Sequence, residues 1–175
     1  MSIENIKNEI PEYAKDIKLN LSSLANEETL TPQQFWGTML ASALAGRNGF
    51  VIREVAEEAA RNLSEEALNA SKAAASIMAM NNVYYKFAGM MGGEYQTMPA
   101  KLRMNIIANP GVDKADFELW SLAVSAINAC QFCVKAHEKQ LVDHGVTKEQ
   151  IQTAVRIASV VQAASAILEG KESLS

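Results

Sequence analysis

The pattern of hydrophobic and polar positions along the 175-residue chain predicts helices and no sheet. Ala, Leu and Met are interspersed with Glu, Lys and Gln, all of which are good helix formers. No segment alternates apolar and polar residues over the length that a sheet requires. Proline occurs only four times, so helices meet few breakers. We therefore predict an all-α protein with about eight helices.

Local signals place several of the helix ends. In Thr31–Gln34, a capping Thr precedes a Pro at the first helical position, with Gln three residues after the Thr. Asp113 with Asp116, and Thr147–Gln150, have the same kind of start signal. Gly145 follows an amphipathic stretch and predicts the end of the preceding helix.

Two segments resemble two others that lie 83 to 84 residues later. The pairs are Phe35–Ala43 with Leu119–Ala126, and Leu63–Leu68 with Val146–Ile151. We interpret this as a single domain, 1–175, built from two helical halves at about 1–88 and 99–175. The alternative is a chance likeness between Ala-rich amphipathic helices. Where the second half has Cys130 and Cys133, the first has glycine, so any chemistry lies in the second half.

Charge and hydropathy exclude several classes of protein. The chain has 16 basic and 20 acidic side chains, a net charge of −4, and no Lys/Arg cluster. This argues against a nucleic-acid or anionic-membrane surface. The N-terminal residues alternate in charge without an apolar run, so we expect no signal peptide. The longest uncharged stretches contain Gln, Ser, Thr and Asn and do not have the pattern of a membrane span. We expect a cytoplasmic protein.

The only two cysteines, Cys130 and Cys133, are three residues apart. On a helix this spacing puts both sulfurs on one face, and His137 follows on the same stripe. If Asn128 caps a new helix, both thiols lie in its first turns, where the helix dipole lowers the pKa of a thiol. His137 can then accept the thiol proton. Glu118 is the candidate carboxylate that orients the imidazole, because it begins an otherwise uncharged stretch.

Other interpretations of these residues remain open. Cysteine is often a small buried hydrophobic residue, and two cysteines with one histidine supply three zinc ligands. A structural zinc site normally needs four ligands, and no second Cys/His pair exists in the sequence. Glu118 alone is equally well explained as a helix-terminal charge. The methionines of 78–91 are interpreted as core residues.

The spacing of Glu118, Cys130, Cys133 and His137 resembles that of the AhpD family of alkyl hydroperoxidases, within the carboxymuconolactone decarboxylase-like superfamily. The similarity extends over essentially the whole chain. It includes the stretches Pro11–Ser23, Arg103–Gly111, Phe117–Trp120 and Ser125–Asn128.

The resemblance implies an all-helical homotrimer and a lipoyl-dependent peroxidase that reduces organic hydroperoxides. It implies no bound cofactor; electrons come from a dihydrolipoyl carrier protein, and an AhpC-type peroxiredoxin is the partner. By this resemblance Cys133 is the peroxidatic cysteine and Cys130 the resolving one. Glu118 and His137 move the protons.

One position departs from that family. Relatives often carry a second histidine directly before the second cysteine, where this chain has Phe132. We therefore expect slower peroxide turnover, with disulfide exchange less affected. The alternatives are an electron-relay adaptor that reduces a partner peroxiredoxin, a decarboxylase-like enzyme without redox chemistry, and a zinc-bearing structural domain.

Overall fold

A computed structural model describes residues 2–174, and these residues form helices and connecting turns with no strand. A 3₁₀ turn covers Glu12–Ala14. The helices are α1 (Ser2–Glu9), α2 (Lys15–Leu24), α3 (Pro32–Gly46), α4 (Gly49–Asn62), α5 (Glu65–Met91), α6 (Glu94–Thr97), α7 (Asn105–Ala108), α8 (Lys114–Ile127), α9 (Gln131–Asp143) and α10 (Lys148–Ser173). Eight of these have at least seven residues, which confirms the predicted all-α fold of about eight helices.

The capping signals in the sequence act as predicted. Thr31 and Thr147 each accept a hydrogen bond from the backbone N–H three residues on, and each forms a full capping box. Asp113 caps α8 by accepting a hydrogen bond from the N–H of Ala115. Gly145 has a φ of +80° just after α9 ends. Such left-handed backbone is easily adopted only by glycine, which explains why the helix stops there.

Helices α3 and α8 form the centre of the core, and each contacts α5 and α10. The largest fully buried side chain is Trp120 of α8, whose indole N–H donates to the Gln34 carbonyl of α3. Gly37 makes this close approach possible, because a Cβ at that position would lie 2.2 Å from Trp120 Cε2. The crossing of α3 and α8 therefore depends on a glycine facing a tryptophan.

The order of helix lengths is similar in the two halves. Helices α3, α4 and α5 have 15, 14 and 27 residues, and α8, α9 and α10 have 14, 13 and 26. This order fits two helical halves, and the internal repeat stays a prediction.

Among residues 2–174, only helix α10 has the length and the apolar composition that a membrane-spanning helix requires. Its apolar residues Ile157, Val161 and Leu168 are buried. The helix packs on α3 and α8, which is the environment of a core helix.

Candidate functional site

Cys130 and Cys133 are joined by a disulfide, with their Cα atoms 5.3 Å apart, at the beginning of α9. Cys130 is itself the N-cap residue: its sulfur accepts the N–H of Cys133 at 3.3 Å, and its carbonyl accepts the N–H of Val134. Both sulfurs therefore lie at the positive end of the α9 dipole, where a thiolate is stabilised once the disulfide is reduced. Cys130 is fully buried, and Cys133 keeps 5% of its surface exposed.

The expectation that Asn128 caps this helix is wrong. Asn128 follows the last residue of α8, and its N–H donates to the Val124 carbonyl as the helix closes. Ala129 then adopts a φ of +53°, which turns the chain sharply before α9 begins. The cap is therefore Cys130, two residues later than predicted.

Helix α5 anchors this turn through a chain of hydrogen bonds. Asn82 donates to Ser125 Oγ at 2.8 Å and accepts from the Asn128 amide at 2.9 Å. Lys86 Nζ donates to the Asn128 carbonyl at 2.9 Å. The N–H of Cys130 donates to the Ser125 carbonyl, so Ser125 is bonded both to Asn82 and to the first cysteine of the disulfide.

Glu118 lies in the second turn of α8, not at the start of a helix as expected, and it is 4% exposed. Its Oε2 is 2.7 Å from His137 Nδ1 on α9. A buried carboxylate needs a partner, and this histidine supplies it. The interpretation of Glu118 as a helix-terminal charge is therefore wrong, and the predicted neighbour is present.

The second ring nitrogen of His137 faces methionine instead of a cysteine. Nε2 lies 3.3 Å from Met78 Sδ on α5, so both ring nitrogens have an acceptor atom beside them. Met78 is buried, as predicted for a core residue. The same prediction is wrong for Met90 and Met91, which are 73% and 57% exposed at the end of α5.

Sequence reasoning missed the contribution of α5. Met78, Asn82 and Lys86 follow one another at four-residue intervals, so they form one stripe of this helix. Asn82 and Lys86 are polar although they continue a stripe that begins with the apolar Met78. This change was a signal that this face of α5 contacts polar groups and not only the hydrophobic core. His144 caps the far end of α9 and faces the Gln140 carbonyl. No group of three His, Cys, Asp or Glu side chains within the described residues could hold a metal ion.

Phe132 lies between the two cysteines and is 47% exposed. Its ring stacks on Tyr85 of α5, with centroids 5.6 Å apart and planes 10° from parallel. The side chain that replaces the histidine of some relatives is therefore held on the outer surface, beside the disulfide.

Known proteins match both the second half and the whole chain. The Carboxymuconolactone decarboxylase family model matches residues 93–172, which include all four candidate residues. The protein named alkyl hydroperoxide reductase AhpD from Gluconacetobacter diazotrophicus is 58% identical over 174 residues, covering 99% of this chain and 96% of that protein. The proteins of the same name from Rhodococcus erythropolis and Maricaulis maris are 57% and 60% identical, covering 100% and 96% of this chain and 98% of each relative. The chain therefore belongs to the alkyl hydroperoxide reductase AhpD family.

Proposed function

We propose that the protein reduces alkyl hydroperoxides through a dithiol–disulfide cycle of Cys133 and Cys130. The observation that carries the proposal is the disulfide at the N-terminus of α9, beside the buried pair of Glu118 and His137. The names of the relatives, which extend over nearly the full chain, support the same activity.

In the proposed cycle, the Cys133 thiolate attacks the terminal peroxide oxygen. An S–O bond forms, the O–O bond breaks, and the alkoxide leaves as alcohol after taking a proton. Cys130 then attacks the sulfenic sulfur of Cys133, giving the disulfide and, with one more proton, water. Cys133 suits the first role because it is the more exposed of the two residues.

His137 and Glu118 move the protons in this proposal. The carboxylate fixes the imidazole through Nδ1. Nε2 faces Met78 Sδ in the disulfide form, and because a thioether sulfur is only a weak acceptor, Nε2 can give up this contact to exchange protons with the reacting groups. A dihydrolipoyl carrier returns the disulfide to the dithiol by exchange, so no cofactor needs to stay bound.

Purified protein should consume an organic hydroperoxide with reduced lipoamide as the sole electron donor. A Cys133→Ser variant, which retains Cys130, should lose this turnover. Turnover that persists in the variant would disprove the role of Cys133.

A second candidate is an electron-relay adaptor that reduces an AhpC-type peroxiredoxin and has little peroxidase activity of its own. Two observations favour it: both cysteine residues are buried, and His137 Nε2 faces Met78 in the disulfide form. The same peroxide-consumption assay distinguishes the peroxidase from the adaptor. A protein whose thiols cycle without consuming peroxide, but which speeds peroxide reduction by an added AhpC-type peroxiredoxin, is the adaptor.

We also propose a cytoplasmic homotrimer. Three apolar residues are exposed on one side of α5: Val83, Phe87 and Met91. The Phe87 ring packs against the Tyr95 ring, with the ring centroids 5.2 Å apart. Such a patch is typical of a protein–protein interface. Light scattering should give three chains per particle, and Phe87→Asp should reduce that number. The control Leu19→Asp, at an exposed position on α2, should leave it unchanged.

A further inference from the structure

A cleft of about 320 Å³ opens beside the segment that carries Cys130. Ala129 and Gln131, the residues on either side of this cysteine, both line it. Its other walls come from α5, α6 and the first turns of α9. Neither cysteine lines the cleft, but Phe132, the residue between Gln131 and Cys133, does, so a molecule in the cleft lies beside the segment that carries the pair.

The charge of the cleft is opposite to that of the whole chain. Its two ionisable lining residues are Lys86 and Lys135, and the described lining contains no carboxylate, although the chain has a net charge of −4. Lys86 is held in place by its hydrogen bond to the Asn128 carbonyl. Lys135 is exposed on α9, one turn after Gln131. Two positive charges at one opening attract an anion.

The rest of the lining suits an alkyl chain. Phe132 presents a ring that its stack on Tyr85 holds in place, and Met90 adds a flexible thioether. Gln96 and Gln131 add amide donors at the edge of this apolar wall. The volume is at the small end of the range for ligand pockets, which suits a chain of moderate length.

We propose that this cleft binds the carboxylate-terminated alkyl chain of a reactant, with the carboxylate at the two lysines and the chain against Phe132 and Met90. Two kinds of reactant share this chemistry: a hydroperoxide of a fatty acid, and a dithiol donor with a free carboxylate. The assignment to a reactant rests on the proposed peroxidase function, whereas binding of the carboxylate does not.

Binding is tested first, with octanoate against the uncharged octanamide, by NMR titration of the full-length disulfide form. We expect octanoate to bind about three- to ten-fold more tightly, since each exposed ion pair contributes up to about five-fold. Lys135→Glu should remove this preference. The matched control is Lys139→Glu, one turn further along α9, where the native lysine pairs with Asp143 outside the cleft.

Two outcomes of the titration would overturn the proposal. One is equal affinity for octanoate and octanamide. The other is a preference that survives Lys135→Glu, or that is lost equally in Lys139→Glu.

Steady-state kinetics then identify the reactant. One arm compares kcat/KM for linoleic acid hydroperoxide and for its methyl ester, with reduced lipoamide as donor. The other arm compares dihydrolipoate with dihydrolipoamide, with tert-butyl hydroperoxide as oxidant. A preference of at least three-fold for the acid in one arm, lost in Lys135→Glu, supports the proposal and names the source; no preference in either arm overturns it. A complete absence of turnover would disprove the peroxidase function instead, and octanoate binding would then decide the question of the cleft.

Discussion

Replacing Glu118 with glutamine tests the central pair of the site with the smallest change of shape. Glutamine has nearly the same size as glutamate, and its carbonyl oxygen can still accept a hydrogen bond from His137 Nδ1. What the substitution removes is the negative charge beside the imidazole. We expect the histidine to remain near its position and to lose the charge that stabilises its protonated form during proton transfer.

The expected magnitude follows from the geometry of the pair. The two atoms are 2.7 Å apart, and the side chains of Glu118 and His137 are only 5% and 12% exposed, so water screens the interaction little. A hydrogen bond to a charged group is worth about 1.5–3 kcal/mol and a neutral one about 0.5–1.5 kcal/mol, so losing the charge alone costs about 1–1.5 kcal/mol. Since about 1.4 kcal/mol corresponds to a factor of ten in rate, kcat/KM for peroxide should fall by about 5- to 13-fold.

The assay is peroxide consumption at saturating reduced lipoamide, with the thermal midpoint measured on the same samples. Asp116→Asn is the matched control. This carboxylate lies on the same helix, is also buried, and accepts hydrogen bonds from the side chains of Gln33 and Gln34 instead of from histidine. We expect it to lower the thermal midpoint without a comparable loss of rate.

A Glu118→Gln enzyme with a rate within two-fold of wild type would refute this reasoning, because the charge would then contribute nothing to proton transfer. Equal losses of rate in Glu118→Gln and Asp116→Asn would also refute it. The effect would then come from the stability of α8 and not from the pair.

Three further predictions test other parts of the molecule. Phe132→His should raise peroxidase turnover by supplying a second imidazole, and an unchanged rate would show that this position is peripheral. Met78→Leu should change stability by less than about 1.5 kcal/mol, yet shift the ¹⁵N resonance of the imidazole Nε2; an unshifted resonance would contradict the sulfur contact. Gly37→Ala should destabilise by about 1–3 kcal/mol or more through overlap with Trp120, whereas Gly170→Ala, which has open space, should stabilise by up to about 1 kcal/mol. Equal thermal midpoints for the two alanine variants would contradict the packing argument.

The helix ends were predictable because their chemistry is local. A capping box joins residues only three positions apart, so Thr31 and Thr147 carry their signal in the sequence itself. Gly145 is equally local, since its backbone conformation depends on its own missing Cβ. The start of α9 was predicted from the same kind of local signal, and that prediction was wrong. Asn128 has the composition of a cap, but the sequence does not reveal that its side chain bonds to Asn82 of α5.

The site was predictable only where one residue was chemically out of place. A carboxylate at the beginning of the uncharged stretch 119–129 must find a partner if it is buried, which led from Glu118 to His137 across 19 residues. Met78 gave no such signal, because a buried methionine is ordinary in a helical core. Its position beside the imidazole results from the packing of α5 on α9. The exposure of Met90 likewise depends on tertiary structure, because the sequence pattern of a helix does not show how far along it other helices pack against it.

Helix α5 contacts three parts of the site: the imidazole, the turn before Cys130 and the cleft. Met78 meets the imidazole, Asn82 holds the turn before Cys130, and Lys86 joins that turn to the cleft, on three successive turns. When the disulfide is reduced, the covalent link between the sulfurs is lost, but none of these contacts involves a sulfur of the pair. The contacts of Asn82 and Lys86 can therefore keep the turn before Cys130 in register while Cys133 is free to react. A thiol, its proton acceptor and its substrate cleft need to stay aligned within a fraction of an ångström for an efficient reaction. A stripe of one continuous helix is well suited to provide that alignment in both redox states.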